Sequence, residues 1–150
     1  VSVPFLHQHC LFRPLSKCPT AFDFLTPQLG AALTTLALSD LKDRGVIAAK
    51  YNVTLYTIGS PRVGNQAFVD LMKSYRVGST RVVNAADIVA HLPPQLLNFR
   101  HVVQEVWEHG SQFKVCSATN GEDPTCADSV GIGVSIADHD RYFQLQKEKC

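Results

Sequence analysis

Asp87 and His139 are the residues of this chain whose types and order could do chemistry. A carboxylate can hold an imidazole in one tautomer and stabilise the imidazolium that forms when the ring takes a proton. Asp87 lies a few residues beyond a short strand expected at 81–84. His139 lies in Ile136-Ala137-Asp138-His139, near the start of an expected last helix. Such a base needs a nucleophile to deprotonate. In a strand-to-helix turn of the form G-x-S-x-G the serine is displayed at a sharp bend. Within Thr26-Pro27-Gln28-Leu29-Gly30 that place is held by Gln28, and only the closing Gly30 fits the pattern. Imidazole cannot deprotonate a glutamine amide to give a nucleophile. An isolated Asp and an isolated His are ordinarily surface residues, so the case rests on the elements that would position them.

Those elements read as α/β. Leu29, Ala32, Leu33, Leu36 and Ala37 recur at helical spacing, and Asp40-Leu41-Lys42-Asp43-Arg44-Gly45 supplies a charged end with a glycine stop. Gly30, Ala31 and Ala32 are small enough for this helix to lie close against a sheet. Residues 53–58 are a β-branched and aromatic strand ending at Gly59-Ser60-Pro61. Ala67, Phe68, Leu71, Met72 and Tyr75 form a second helical stripe. Residues 101–107 and 112–116 read as two strands, antiparallel around His109-Gly110-Ser111, and the segment from Ser135 to Lys149 as helical from about Asp138. Alternating strand and helix argue for parallel βαβ units, whose reactive residues collect on loops at the carboxyl ends of the strands. Residues 1–28 have a different texture, mixing Pro, His and Cys without a sustained period, and are read apart from the regular segment 29–150.

Composition narrows the function. The formal net charge is +1 and no basic run occurs, so a nucleic-acid partner is not expected. The apolar stretches fall far short of the roughly 20 residues that span a bilayer. The chain starts at Val1 and its one methionine is Met72, so it is read as a fragment or processed product, and its opening residues make a poor secretory signal. Five cysteines leave at least one without a partner in the chain. Cys116 and Cys126 bracket a polar, turn-rich loop that a disulfide would staple; two free thiols are the alternative. Cys10, Cys18 and Cys150 have no evident partners. His7-Gln8-His9-Cys10 lacks the complementary ligands a zinc site needs, and Gly131-Ile132-Gly133 lacks the setting of a dinucleotide fingerprint. Neither a metal nor another cofactor is expected. Asn52-Val53-Thr54 is an N-glycosylation sequon just ahead of a strand.

Several blocks then carry a family resemblance. The run from Tyr56 to Phe68, Tyr56-Thr57-Ile58-Gly59-Ser60-Pro61-Arg62-Val63-Gly64-Asn65-Gln66-Ala67-Phe68, resembles the segment after the nucleophile helix in the fungal class 3 lipases, a family that includes feruloyl esterases. Asn84-Ala85-Ala86-Asp87-Ile88-Val89-Ala90-His91-Leu92-Pro93-Pro94 is similar to the family's acid loop, Phe99-Arg100-His101 with Glu105 and Trp107 to the following strand, and Ala137-Asp138-His139-Asp140-Arg141-Tyr142-Phe143 to its catalytic-histidine segment. The resemblance implies the C-terminal half of an α/β-hydrolase sheet and hydrolysis of carboxylic esters, most simply acylglycerols, at a lipid–water interface outside the cell. It implies Asp87 as triad acid, His139 as general base and the Leu29 backbone N–H as an oxyanion donor at a helix start. Two departures stand out: the family's G-H-S-L-G is replaced by Thr26-Pro27-Gln28-Leu29-Gly30, and Asp140 follows the histidine where an apolar residue is usual. The expectation is a chain inactive as written, with residues 1–28 foreign to the family; the alternative is a pseudoenzyme that binds lipid or ester without cleaving it. A half-sheet would also expose a long strand edge, a route to self-association.

Overall fold

A computed structural model describes residues 21–102, 104–117, 119 and 121–146. His7, His9, Cys10, Cys18 and Cys150 lie outside the described residues. The elements that position the site are strand β1 (Ala21–Pro27), helix α1 (Gln28–Asp43), β2 (Asn52–Ile58), α2 (Gln66–Ser74), β3 (Gly78–Asn84), β4 (Glu105–His109), β5 (Gln112–Val115), the one-turn helix α3 (Ile136–His139), β6 (Arg141–Tyr142) and β7 (Leu145–Gln146). Strands β1 to β5 form one sheet in that order. The first four are parallel and β5 returns antiparallel to β4. Because β1, β2 and β3 step in one direction, right-handed crossovers put α1 and α2 on the same face. There Leu38 of α1 and Met72 of α2 pack with Val53 and Leu55 of β2.

The alternation of strand and helix emerges as the sequence implies, with three differences. The apolar stripe expected to seat α1 faces outward: Leu29, Leu33 and Leu36 are 69%, 60% and 48% exposed. The face laid on the sheet carries Ala31, Thr35, Leu38 and Ser39 instead. Short side chains permit the close approach, and the Thr35 hydroxyl satisfies itself on the Ala31 carbonyl at 2.8 Å. The strand expected from residue 101 begins only at Glu105, because the His101 N–H donates to the Glu122 carboxylate at 2.7 Å rather than to a neighbouring strand.

The third difference lies beside the candidate base. The expected final helix is a single turn, after which β6 and β7 pair as a small antiparallel hairpin. Ser135 caps the turn by accepting the Asp138 N–H at 3.1 Å. The Asn84 side-chain amide then donates to the carbonyls of Asp138 and Arg141, both of which a continuing helix would need for its own N–H groups. His139 therefore ends a turn rather than opening a helix, and Phe143 and Gln144, both at positive φ, reverse the chain.

A second core under β3 and β4 joins Val83, Ala90, Trp107 and Ala127 to Cys116 and Cys126, which form a buried disulfide across a Cα separation of 6.2 Å. Leu38 has no exposed surface, so Leu38→Ala should lower the unfolding free energy by about 2–5 kcal/mol. Leu33→Ala, on the outward face, should change it by less than about 0.5 kcal/mol. Urea denaturation followed by Trp107 fluorescence distinguishes the two.

Candidate active site

Parallel register sets three chain reversals along one edge of the sheet. Pro27, Ile58 and Val82 are aligned across β1, β2 and β3, so Gln28, Gly59 and the turn after Asn84 leave the sheet at the same, carboxyl end. With neighbouring strands about 4.8 Å apart, the bend at Gln28 stands only about 10 Å across the sheet from the end of β3. Gln28 has φ 55°, a left-handed conformation uncommon for a residue with a Cβ. Pro27 supplies no side-chain cap and the first turn of α1 contains no acidic residue. The Leu29 N–H thus sits at a helix start whose partial positive charge no carboxylate of its own first turn offsets.

Asp87 has no exposed surface. Its backbone bridges to Ser135, bringing α3 against the acid loop through Ser135 N–H to the Ala86 carbonyl at 2.7 Å and Ile88 N–H to the Ser135 carbonyl at 3.1 Å. The His139 ring reaches the Asp87 carboxylate through Nδ1, 2.9 Å from Oδ1 and 3.0 Å from Oδ2. An ionised carboxylate only accepts, so Nδ1 carries the proton and donates it, and Nε2 is the nitrogen with the lone pair. Oδ1 also accepts the Val89 N–H at 2.8 Å, and Oδ2 accepts the Tyr142 hydroxyl. Burial, reinforced by the Asp87 charge, pushes the Tyr142 phenol far above its ordinary range, so it stays a donor.

Sequence reading missed Tyr142 and Gly59 as parts of this cluster. Both stand in family-like blocks, but 83 positions of sequence and three intervening strands separate them. A Cβ on Gly59 would come within 2.9 Å of the Tyr142 hydroxyl and 3.0 Å of Asp87 Oδ2, and the residue has φ +60°.

A buried clamp holds the acid loop. Arg62 donates through Nη1 to the carbonyls of His91 (2.6 Å) and Pro93 (3.2 Å), and through Nε and Nη2 to Glu122 at 3.0 and 2.8 Å. It also reaches Asp128 at 3.2 Å. One side chain thereby ties the loop after β2 to the loop after Asp87 and to the disulfide segment. Burial alone would raise the Glu122 carboxyl, but hydrogen bonds and charge from Arg62 reverse that and lower it. Arg81 pairs with Glu105 at 2.7 Å beneath the clamp. His101, wholly buried, is pushed well below its usual range by desolvation and then by the Arg81 and Arg62 charges. It is neutral and donates Nε2–H to the Ala90 carbonyl at 2.7 Å.

Glu105 with Cys116 and Cys126 is a grouping close enough to hold a metal ion, but its two sulfurs are bonded to each other. The Asp138 carboxylate beside His139 accepts the Ala86 N–H at 3.2 Å.

Residues 28–97 match the family model described as lipase (class 3). A lipase of Rhizopus niveus is 35% identical over 124 residues, 81% of this chain and 31% of that protein. The secreted mono- and diacylglycerol lipase 1 of Fusarium solani is 34% identical over 125 residues, 77% of this chain and 35% of its own length. A solved triacylglycerol lipase with a serine protease triad as its catalytic centre superposes with a TM-score of 0.75 at 33% identity, covering 83% of this chain and 48% of that one. Over this part of its length the matches support a member of the class 3 lipase family. The chain spans about a third of the length of the curated lipases it matches. The five-stranded sheet with helices on its face is accordingly part of a lipase α/β-hydrolase fold, carrying a disulfide.

The geometry has two measurable consequences. Gly59→Ala should destabilise by about 1–3 kcal/mol for the left-handed backbone alone, plus the crowding at Tyr142. In a Tyr142→Phe background the same change should cost less, giving a non-zero coupling in a double-mutant cycle. His101 has a folded pKa below its unfolded one, so between the two the unfolded chain binds more protons and stability rises with pH. Denaturation midpoints should therefore fall as pH drops below about 6.5, and His101→Gln should remove that component.

Proposed function

We propose that this chain carries the acid–base half of a lipase-type carboxylic ester hydrolase centre, with Asp87 as the orienting acid and His139 as the base. The observation that carries the reading is the buried Asp87 carboxylate 2.9 Å from His139 Nδ1, on the sheet edge where Gln28 bends into α1. With a serine at position 28, His139 Nε2 would take the hydroxyl proton as the oxygen attacks an ester carbonyl. The tetrahedral oxyanion would draw on the Leu29 N–H. The alcohol would leave with the proton returned by His139, and water would then release the acyl group by the same route in reverse. Gln28 supplies no such oxygen nucleophile. Loss of a triad serine can cost on the order of a millionfold in turnover, so the chain as written does not hydrolyse esters. That residues 1–28 are foreign to the family is supported by the change of texture near Leu29.

The substrate class is acylglycerol or a related lipid ester, by relation to the lipases above, and the location extracellular, as the Fusarium solani relative's description has it. Leu29, Leu92 and Ile136, each within a few residues of Gln28, Asp87 or His139, are 69%, 46% and 68% exposed. Such an apolar rim supports the second reading, non-catalytic binding of lipid or ester at a lipid–water interface. No helix is long and apolar enough to cross a membrane among the described residues. The outer edge of β1 has no partner strand among the described residues, which supports self-association by strand pairing.

The chain should give no turnover of a short-chain nitrophenyl ester. Gln28→Ser should confer labelling by a fluorophosphonate probe, and adding His139→Ala should abolish that labelling. Turnover by the unsubstituted chain that His139→Ala removes would overturn the reading. Sedimentation should show concentration-dependent association; a monomer at all concentrations would remove the edge-pairing part alone.

A further inference from the structure

The amino end of the sheet, opposite the acid and base, carries a second feature. Of the five asparagines in the sequence, only Asn52 is followed at the second position by a serine or threonine, in Asn52-Val53-Thr54. In the fold this triplet opens β2. Asn52 is exposed, Val53 is buried in the core, and Thr54 is half-buried. The alternation follows from the strand itself: successive side chains point to opposite faces, so seating Val53 among Leu38, Leu55 and Met72 turns the side chains of Asn52 and Thr54 away from that core.

Room for a large substituent is present at this amino end of the sheet. Asn52 lines a cleft of about 840 Å³ together with Lys42, Tyr51, Tyr75, Arg76 and Gly78. Tyr51 is half-buried, with the Lys50 ammonium 5.2 Å from its ring centre. Open space beside the exposed Asn52 amide leaves room for a bulky hydrophilic substituent. The site is also remote from the chemistry. Seven residues of strand separate Asn52 from Gly59, a span of about 23 Å at 3.3 Å per residue. A glycan there leaves the Asp87–His139 edge uncovered.

We propose that Asn52 is an N-glycosylation site. The side-chain Nδ2 forms a bond to the anomeric carbon of an N-acetylglucosamine carried on a lipid-linked oligosaccharide pyrophosphate. The amide gives up one proton, and the lipid pyrophosphate departs as the leaving group. No oxidant or reductant is involved. Modification needs passage through a secretory compartment, so the inference rests on the extracellular reading above.

The test separates the two. The full chain, fused to a cleavable secretory leader so that entry to the compartment is imposed, is expressed in yeast. It is recovered from cells and medium, then analysed by intact mass before and after peptide-N-glycosidase F. The expected result is a single glycan increment, removed by the enzyme with conversion of residue 52 to aspartate. The increment should be absent in Asn52→Gln and in Thr54→Ala, and present in Thr54→Ser, which keeps the hydroxyl. Because the sequon is read as the chain enters the compartment, loss in Asn52→Gln with retention in Thr54→Ser does not depend on the stability of either variant. An unmodified chain recovered from the compartment would overturn the proposal while leaving the extracellular reading untouched. A glycan that persists in Asn52→Gln would overturn it as well.

Discussion

The carboxylate of Asp87 is the constraint to which the other parts of the site answer. It has no exposed surface, and a buried charge is tolerated only when its lone pairs are matched by donors. Three separate pieces of chain supply them: the Val89 N–H from its own loop, the Nδ1–H of His139 from α3 and the Tyr142 hydroxyl from β6. The same bonds that make the burial affordable also choose the His139 tautomer. Removing solvent from the carboxylate and aiming the imidazole are one event. It explains why the chain stops being helical after residue 139: Asn84 takes the Asp138 and Arg141 carbonyls, and the resulting hairpin brings Tyr142 round onto Asp87.

Beneath that cluster the Arg62 clamp serves a different purpose. The loop after Asp87 contains little regular structure, only short 3-10 turns at Val89–His91 and Gln95–Leu97. Its backbone carbonyls need partners, and Arg62 gives two of them a cation already neutralised by Glu122 and Asp128. The Cys116–Cys126 bridge closes the segment that carries Glu122, with Asp128 two residues beyond it, and Asp123 stiffens that segment by accepting from Ser117 N–H, Thr125 N–H and the Thr125 hydroxyl. Core packing, the disulfide and a buried ion pair thus converge on the position of one loop. That loop in turn sets where the acid stands.

Much of this was legible in the residues themselves. Strand and helix alternation, the hairpin around Gly110 and the meeting of Asp87 with His139 all follow from local pattern or from family-like blocks such as the one ending at His139-Asp140-Arg141-Tyr142. Other features were not. The Leu29, Leu33, Leu36 stripe has the period of a buried face, yet α1 turns it outward because the sheet accepts the smaller Ala31 and Thr35. Helical propensity after Asp138 was overruled by an amide 54 residues away. Gly59 reads as the end of a strand, and nothing nearby in sequence says that a methyl group there would strike a tyrosine 83 positions later.

The sequence by itself determined the inventory: an aspartate followed later by a histidine, a glutamine ahead of the first helical stripe, two cysteines around a polar loop, and a lone sequon. These are properties of residue type and near-neighbour spacing, which local rules can read. Only the tertiary structure decided which nitrogen of His139 bears the proton, that Tyr142 and Gly59 complete the acid's surroundings, and which side of α1 meets the sheet. Those outcomes depend on burial and on donors brought from distant strands. Such meetings are selected by the packing of the whole sheet, and no short window of sequence contains them.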